Sequence, residues 1–116
     1  MKRKFVKMHG CGNDYIYFDC LENGLYDPET LSIILSDRHF GIGGDGIVLI
    51  CPSAVADAKM RMFNADGSEG AMAGNALRCM GKYLYDSGIA AKEDLRIETG
   101  IGVREVHVYT TNGKVT

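Results

Sequence analysis

The chain has 116 residues, of which 46% are hydrophobic and 24% charged, and its formal net charge is −2. These values are typical of one globular domain. A slightly acidic chain without a basic stripe has no electrostatic attraction to nucleic acid or to an anionic membrane, so we expect neither as a partner. The basic start of the chain is followed only by Phe5 and Val6 before Lys7, which is too short for the apolar region of a signal peptide. We therefore expect a cytoplasmic protein.

Apolar and β-branched runs bounded by turn residues predict six strands. These strands cover residues 4–9, 14–20, 46–51, 59–64, 95–99 and 102–110. The last of them leads into Asn112 and Gly113, and Asn-Gly is the strongest short signal for a β-hairpin. Because only residues 114–116 remain for a returning strand, we expect the chain to stop inside or just after this hairpin.

Two helices are predicted among the strands. The first has Asp27 as its N-cap and Pro28 at its first helical position, both of which favour a helix start. Its apolar side is expected to consist of Leu31, Ile33, Ile34 and Leu35. The second begins near Gly74 and ends around Ser87, where Gly88 suits a left-handed C-cap. Strands outnumber helices and do not alternate regularly with them, which predicts an α+β fold.

The cysteines and histidines give no sign of a metal site. Cys11, Cys20, Cys51 and Cys79 contain no C-x-x-C pair, and we expect reduced, mostly buried thiols. For Cys11, which lies in a Gly-Cys-Gly-Asn-Asp turn, a supporting role is favoured over chemistry. The three histidines are His9, His39 and His107, and none has a carboxylate or cysteine at metal-ligand spacing in the sequence. We therefore expect no bound metal.

The glycine-rich segment 41–46 is interpreted as a structural turn with glycines at positive φ. It follows neither of the usual glycine spacings of nucleotide-binding loops, and it leads into an apolar strand where those loops open a helix. A phosphate-binding role is therefore disfavoured.

Four segments in the same order resemble diaminopimelate epimerase, a cofactor-independent amino-acid epimerase. They are KMHGCGNDYIYFD (7–19), DRHFGIGGDGIVLI (37–50), MFNADGSEGAMAGNALRCMGKYLYD (62–86) and IETGIGV (97–103). The family enzyme has two similarly folded halves, each of which supplies one cysteine to a cleft between them. No second Gly-Asn or Cys-Gly-Ser-Gly segment follows here, so the resemblance implies that residues 1–116 form the N-terminal half and that the C-terminal half is absent. It also implies a strongly bent antiparallel or mixed sheet wrapped around a central helix.

The family's catalytic cysteine precedes Gly-Asn, and that position is Ala73 here. The resemblance implies substrate contacts from Asn13 and Asn64, and from Gly74 and Asn75 through their backbone N–H groups. Asn13 and Asn64 are also common turn formers. Epimerisation needs two opposed acid/base groups, and Ala73 has none, so we expect this chain to be inactive alone. A deliberate Cys→Ala replacement is favoured over a natural degenerate paralogue, because the surrounding motifs are intact.

The resemblance implies interconversion of LL- and meso-diaminopimelate in lysine and peptidoglycan-precursor synthesis, without a cofactor. Two alternatives are open: another enzyme of the same fold, either proline racemase-like or a phenazine-type isomerase, and a non-catalytic binding or interaction module. Proline racemase-like chains carry His in place of Asn75, and the segment NADGSE favours diaminopimelate epimerase over both enzymes. Gly46 replaces a glutamine that contacts substrate in many family members. The expected partners are diaminopimelate, the missing half and, through the surface it would leave bare, a second copy of the chain.

Overall fold

The computed structural model describes residues 6–10, 13–21, 24, 27–38, 41, 43–70, 74–90, 92–111 and 114–115. It contains nine short strands and two helices in these residues. In chain order they are β1 (Val6–Gly10), β2 (Asn13–Asp19), α1 (Pro28–Ser36), β3 (Gly46–Cys51), β4 (Ala58–Asn64), β5 (Glu69–Gly70), α2 (Gly74–Asp86), β6 (Asp94–Thr99), β7 (Gly102–His107), β8 (Thr110–Thr111) and β9 (Lys114–Val115). The predicted α+β class is confirmed.

The main sheet is mixed and runs in the order β1-β2-β3-β4-β6-β7, with β5 added to β4. The pairs β2–β3 and β4–β6 are parallel, and the other pairs of this sheet are antiparallel. The last predicted strand is shorter than expected, because β7 ends at His107 and Val108 donates its backbone N–H to Glu93. The predicted hairpin is confirmed by the antiparallel pairing of β8 with β9. Its turn residues, Asn112 and Gly113, lie outside the described residues.

Helix α2 is the central helix around which the sheet bends. It contacts β1 and β7, the two ends of the strand order, and also β9. Its buried side chains recur at helical spacing and join the larger core cluster; they are Ala76, Leu77, Met80 and Leu84. Gly88 has φ 79° just beyond the helix, which confirms the predicted left-handed C-cap. The predicted sheet wrapped around a central helix is therefore confirmed.

Helix α1 packs on the opposite face of the sheet. Its cluster contains Ile16, Phe18, Cys20, Ile47, Leu49 and Phe63, against which Leu31 and Leu35 are partly buried. The predicted N-cap is confirmed, because the Asp27 carboxylate accepts the backbone N–H of Thr30 at 3.4 Å. Neither helix of the described chain is long and apolar enough to cross a membrane.

The predicted apolar side of α1 is wrong for its two isoleucines. Ile33 and Ile34 are 51% and 57% exposed, whereas Ser32 and Ser36 are buried. Residues four apart share a helix face, so the pair of small serines determines which face meets the sheet. The Ser32 hydroxyl donates to the backbone carbonyl of Asn64 at 2.7 Å, and this bond holds the helix against the end of β4. Because Ser32 and Ser36 face the sheet, both isoleucines face outward.

Candidate functional site

The start of β2 and the end of β4 lie at the same edge of the main sheet. Tyr15 of β2 pairs with Gly46 of β3, and Gly46 pairs with Asn64 of β4. Asn13, the first residue of β2, is two positions before Tyr15, and its side chain lies outside the described part of the chain. Because neighbouring strands are about 4.8 Å apart, the backbones of Tyr15 and Asn64 are separated by about 10 Å. The sheet thus brings two of the four predicted contact residues to one edge.

Helix α2 packs on the face of the sheet that carries Tyr15 and Tyr17. The buried hydroxyl of Tyr17 donates a hydrogen bond of 3.1 Å to the backbone carbonyl of Ala76, in the first turns of α2. In the register, Tyr17 pairs with Val48 and Val48 with Met62, and all three belong to the cluster packed on α2. Alternate residues of a strand share a face, so Asn64 faces α2 about 7 Å along β4 from Met62.

Tyr17 remains a donor at neutral pH. Burial is the main cause that raises its pKa, and the neighbouring Cys79 thiol raises it further. The hydroxyl is therefore protonated throughout the physiological range, and it fixes the first turns of α2 against the centre of the sheet.

Helix α2 carries no acidic residue in its first turn. Gly74 is exposed, and a Cβ built on it would meet no atom within 4 Å. The first four N–H groups of an α-helix lack partners inside the helix, and its N-terminus has a partial charge of about +0.5. This end suits a carboxylate. Asn75 belongs to the same turn, but its side chain is not described, and Ala73 lies outside the described residues.

The loop after β4 is closed by its own hydrogen bonds. Asn64 Nδ2 donates to Ser68 Oγ at 3.1 Å, and the Asn64 backbone N–H donates to the Ser68 carbonyl at 2.8 Å. The Ser68 hydroxyl in turn donates to Asp66 Oδ1 at 2.6 Å. Gly67 has φ 91°, and a Cβ there would approach Ile33 Cδ1 to 2.9 Å. The loop is therefore seated directly on α1, and only glycine fits at its tip.

The glycine-rich turn before β3 has the structural role expected for Gly43, whose φ is 87°. Gly41 and Gly46 are required by close approach, since their added Cβ atoms would lie 2.3 Å from Ile34 O and 2.2 Å from Phe63 O. Asp45 joins this turn to the loop after β4, because its carbonyl accepts the Ala65 N–H at 3.0 Å. No side chain fits at position 46 with this backbone.

A profile of the diaminopimelate epimerase family matches residues 5–116. The chain belongs to this family. A diaminopimelate epimerase of Methanococcus maripaludis (strain C5) is 55% identical over 112 residues, which cover 97% of this chain and 40% of that protein. One from Agathobacter rectalis is 51% identical over 113 residues, with 97% and 40% covered. The chain thus spans about 40% of the length of these curated relatives.

Solved structures of more distant proteins share the fold of this epimerase-family chain. A probable proline racemase from Agrobacterium radiobacter K84 superposes with a TM-score of 0.79 at 19% identity, covering 98% of this chain and 39% of that chain. A methylitaconate-delta-isomerase gives 0.76 at 20% identity, covering 99% and 62%. At these identities the likeness concerns the fold alone.

The described thiols of this family member do not lie at the N-terminus of α2. Cys20, Cys51 and Cys79 form no disulfide among the described residues, in agreement with the predicted reduced state, and Cys11 lies outside the described residues. A hydrogen bond with Cys20, followed by burial, raises the pKa of Cys51, so this thiol is a poor nucleophile at neutral pH. Cys79 is five residues beyond Gly74, about 7.5 Å along the helix axis.

Of the three histidine side chains, the structure describes only that of His107. His39 and the side chain of His9 lie outside the described residues. His107 faces outward as expected, but strand pairing brings it opposite Asp94, whose carboxylate lies 2.7 Å from His107 Nδ1. In the described part of the chain, no three metal-ligating side chains lie together.

Sequence reasoning missed four residues that support the epimerase-family site. Ser68 and Asp66 hold the Asn64 amide, Ser32 holds the Asn64 carbonyl, and Tyr17 holds α2. The Asp-Gly-Ser triplet after Asn64 could have indicated the first two, because short polar side chains in such turns bond to nearby groups. Ser32 and Tyr17 act across long sequence separations, for which one sequence carries no signal.

Proposed function

We propose that this chain is the N-terminal half of a cofactor-independent epimerase that interconverts LL- and meso-diaminopimelate. Family membership over residues 5–116 supports the reaction class. The observation that carries the proposal is that the first turn of α2, which has no acidic residue, packs on the face of the sheet whose strand ends carry Asn13 and Asn64. A helix end without its own carboxylate suits an amino-acid carboxylate, and amide side chains nearby suit the remaining polar groups.

The roles follow from the chemistry of each group. The backbone N–H groups of Gly74 and Asn75 would bind the substrate carboxylate and disperse the charge that develops when the α-proton leaves. Asn13 and Asn64 would orient the substrate. Removal and return of the proton need an acid/base group on each face of the α-carbon. Ala73 has no titratable group, so this side of the relay is missing and the chain alone is inactive.

The proposed partner is a C-terminal half that supplies the opposite face of the cleft. Until that half covers it, the chain is expected to associate with further copies of itself. We also place the protein in the cytoplasm, where thiols outside disulfides, such as those of Cys20 and Cys79, remain reduced.

The test joins this chain to the C-terminal half of a family enzyme, with and without Ala73→Cys. The cysteine form should exchange the α-proton of diaminopimelate with solvent deuterium, because the missing base is restored. The Ala73 form should bind diaminopimelate and exchange it at least about 10²-fold more slowly, the usual contribution of one positioned acid/base group. Mass spectrometry of the substrate measures both rates. Equal exchange by the two forms would show that position 73 does not supply the base.

A non-catalytic diaminopimelate-binding module is the second candidate, and the alanine at position 73 favours it. The same pair of proteins separates the two. Binding without any exchange in the Ala73→Cys form, with a thiol that does not react with alkylating reagents near neutral pH, would support the binding module.

A further inference from the structure

The loop after β4 contains a short chain of hydrogen bonds that ends on a predicted substrate contact. We infer that Ser68 and Asp66 are positioning residues that fix the side-chain amide of Asn64 in one orientation, so that its carbonyl oxygen is the group presented to the ligand. The ligand part of this inference rests on the proposed function. The orientation itself rests on geometry.

The direction of the hydrogen bonds follows from the number of protons available. A serine hydroxyl has a single proton to donate. Asp66 Oδ1 lies 2.6 Å from Ser68 Oγ, a separation typical of a hydroxyl bound to a charged carboxylate. Asp66 therefore receives the Ser68 proton, and Ser68 Oγ can only accept from its other neighbour.

That neighbour is the terminal amide of Asn64, 3.1 Å from Ser68 Oγ. Since Ser68 Oγ must accept, the atom of Asn64 that faces it must be the NH₂ group and cannot be the carbonyl oxygen. The two possible orientations of an asparagine amide are thus reduced to one without reference to the assigned atom names. Asn64 Oδ1 then points away from Ser68, and within the described residues it makes no hydrogen bond.

The backbone around this amide is fixed as well. The Asn64 N–H donates to the Ser68 carbonyl at 2.8 Å, and the Asn64 carbonyl accepts the Gly67 N–H at 2.9 Å and the Ser32 hydroxyl at 2.7 Å. Hydrogen bonds thus hold both the side chain and the backbone of Asn64. An orienting group that must not turn during binding needs this kind of support from its neighbours.

The carboxylate at the end of the chain of bonds stays ionised. Hydrogen bonds from the Ser68 side chain, and then from its backbone N–H, hold the pKa of Asp66 below its ordinary value. Asp66 therefore keeps accepting the Ser68 proton through the physiological range. When Asp66 is protonated in acid, it should no longer accept the Ser68 proton, and the Asn64 amide should lose its fixed orientation.

The amide orientation is tested directly by NMR on the 116-residue chain. The side-chain NH₂ signals of Asn64 should titrate with Asp66 in acid, and their exchange with solvent should be slower than that of an unbonded amide. Ser68→Ala should abolish this titration and speed the exchange, whereas Ser68→Thr, which keeps a hydroxyl, should retain both properties. Ser53→Ala is the matched control, because it also removes a serine that bonds a carboxylate and loop N–H groups, but in the loop after β3.

Unchanged Asn64 signals in Ser68→Ala, in a protein whose remaining backbone signals match the parent, would overturn the inference. A purely structural role of Ser68 would not couple the Asn64 amide to the titration of Asp66. If Ser68→Ala unfolds the chain, Asp66→Asn decides, because it removes the titration and leaves an acceptor for the hydroxyl.

A titration with meso-diaminopimelate separates this inference from the proposed function. Ser68→Ala should weaken binding by about five-fold, the scale of one hydrogen bond, and Ser68→Thr should restore it. Ligand-induced shifts at the Gly74 N–H without any at Asn64 would overturn the ligand part. Shifts at neither position would count against the proposed function, while the amide orientation would still be decided by the Ser68 variants.

Discussion

Helix α1 begins with a carboxylate of its own, whereas helix α2 has none in its first turn. The Asp27 side chain caps the Thr30 N–H, and Glu29 adds a second negative charge beside it. At α2 the first helical residue is the exposed Gly74, where an added Cβ would meet no atom within 4 Å. Both helices present the same partial positive charge at this end. Within the described residues, only α2 lacks a carboxylate at this end, and this difference favours an anionic ligand there.

The two helices also differ in how they contact the sheet. Helix α2 uses mainly apolar side chains, whereas α1 combines the partly buried Leu31 and Leu35 with the buried Ser32 and Ser36 and leaves its isoleucines exposed. The contact that supports the site from below is thus polar and directional, since it includes the bond from Ser32 to Asn64. The contact of α2 is mainly hydrophobic, and burial of apolar surface is the dominant favourable term in folding.

The largest expected effect tests this difference in stability. Leu84→Ala on α2 should lower the free energy of unfolding by about 2–5 kcal/mol, because a fully buried leucine leaves a cavity. Ile34→Ala on α1 should change it by less than about 0.5 kcal/mol, since this side chain is exposed. Urea unfolding of both variants measures the difference. Similar losses would show that α1 buries its isoleucines in solution.

A second experiment supplies α2 with the carboxylate that it lacks. Gly74→Asp should weaken the binding of diaminopimelate by about ten-fold or more, because a fixed negative charge repels the ligand carboxylate. Glu29→Gln at α1 is the control and should leave binding unchanged, since that end is already capped. Calorimetric titration of a form joined to its C-terminal half measures both. Undiminished binding in Gly74→Asp would remove the helix end from the site.

The anchor of α2 can be tested with the smallest possible change. Tyr17→Phe removes the buried hydroxyl that bonds to the Ala76 carbonyl and should cost about 0.5–1.5 kcal/mol of unfolding free energy. It should also increase hydrogen exchange of the N–H groups near Gly74. Tyr85→Phe, whose hydroxyl makes no hydrogen bond within the described part of the chain, is the control. Equal stability of the two variants would mean that the hydroxyl does not hold the helix.

The smallest effect concerns the cap of α1 and depends on pH. Hydrogen bonds from Thr30 lower the pKa of Asp27 in the folded chain. A lowered folded pKa stabilises the protein above the unfolded pKa, and the contribution is lost as pH falls through the folded value, below about pH 4. Asp27→Asn should therefore remove a small part of the acid-induced loss of stability. Thermal melts between pH 2 and 7 would show identical profiles if the cap contributed nothing.

Local signals in the sequence predicted the helix ends well. Asp27, Pro28 and Gly88 start or end a helix through contacts and backbone angles that involve only residues a few positions away. The face of α1 was predicted wrongly for its two isoleucines, because the composition of the helix favoured them while the distant Asn64 carbonyl binds Ser32. Pairing across strands was equally hidden, as the contact of Asp94 with His107 shows. Positions 73 and 11 remain predictions, because they lie outside the described residues.

The site itself was predictable only as a set of positions. The resemblance indicated Asn64 and Gly74, but the sequence could not show that Ser68 and Asp66 hold the Asn64 amide, because they have an equally ordinary reading as turn residues. Close approach of the backbone explains Gly46, and a single sequence does not distinguish this cause from a positive φ.

The two parallel strand pairs have a consequence for the order of folding. The hairpins β3–β4 and β6–β7 join neighbouring segments, whereas β2–β3 and β4–β6 each close over an intervening helix. Long closures cost more chain entropy and form late. The edge of the sheet that carries both Asn13 and Asn64 forms only after β2 has paired with β3. We therefore expect a folding intermediate with formed hairpins to be unable to recognise ligand, so that binding competence appears in the last kinetic phase.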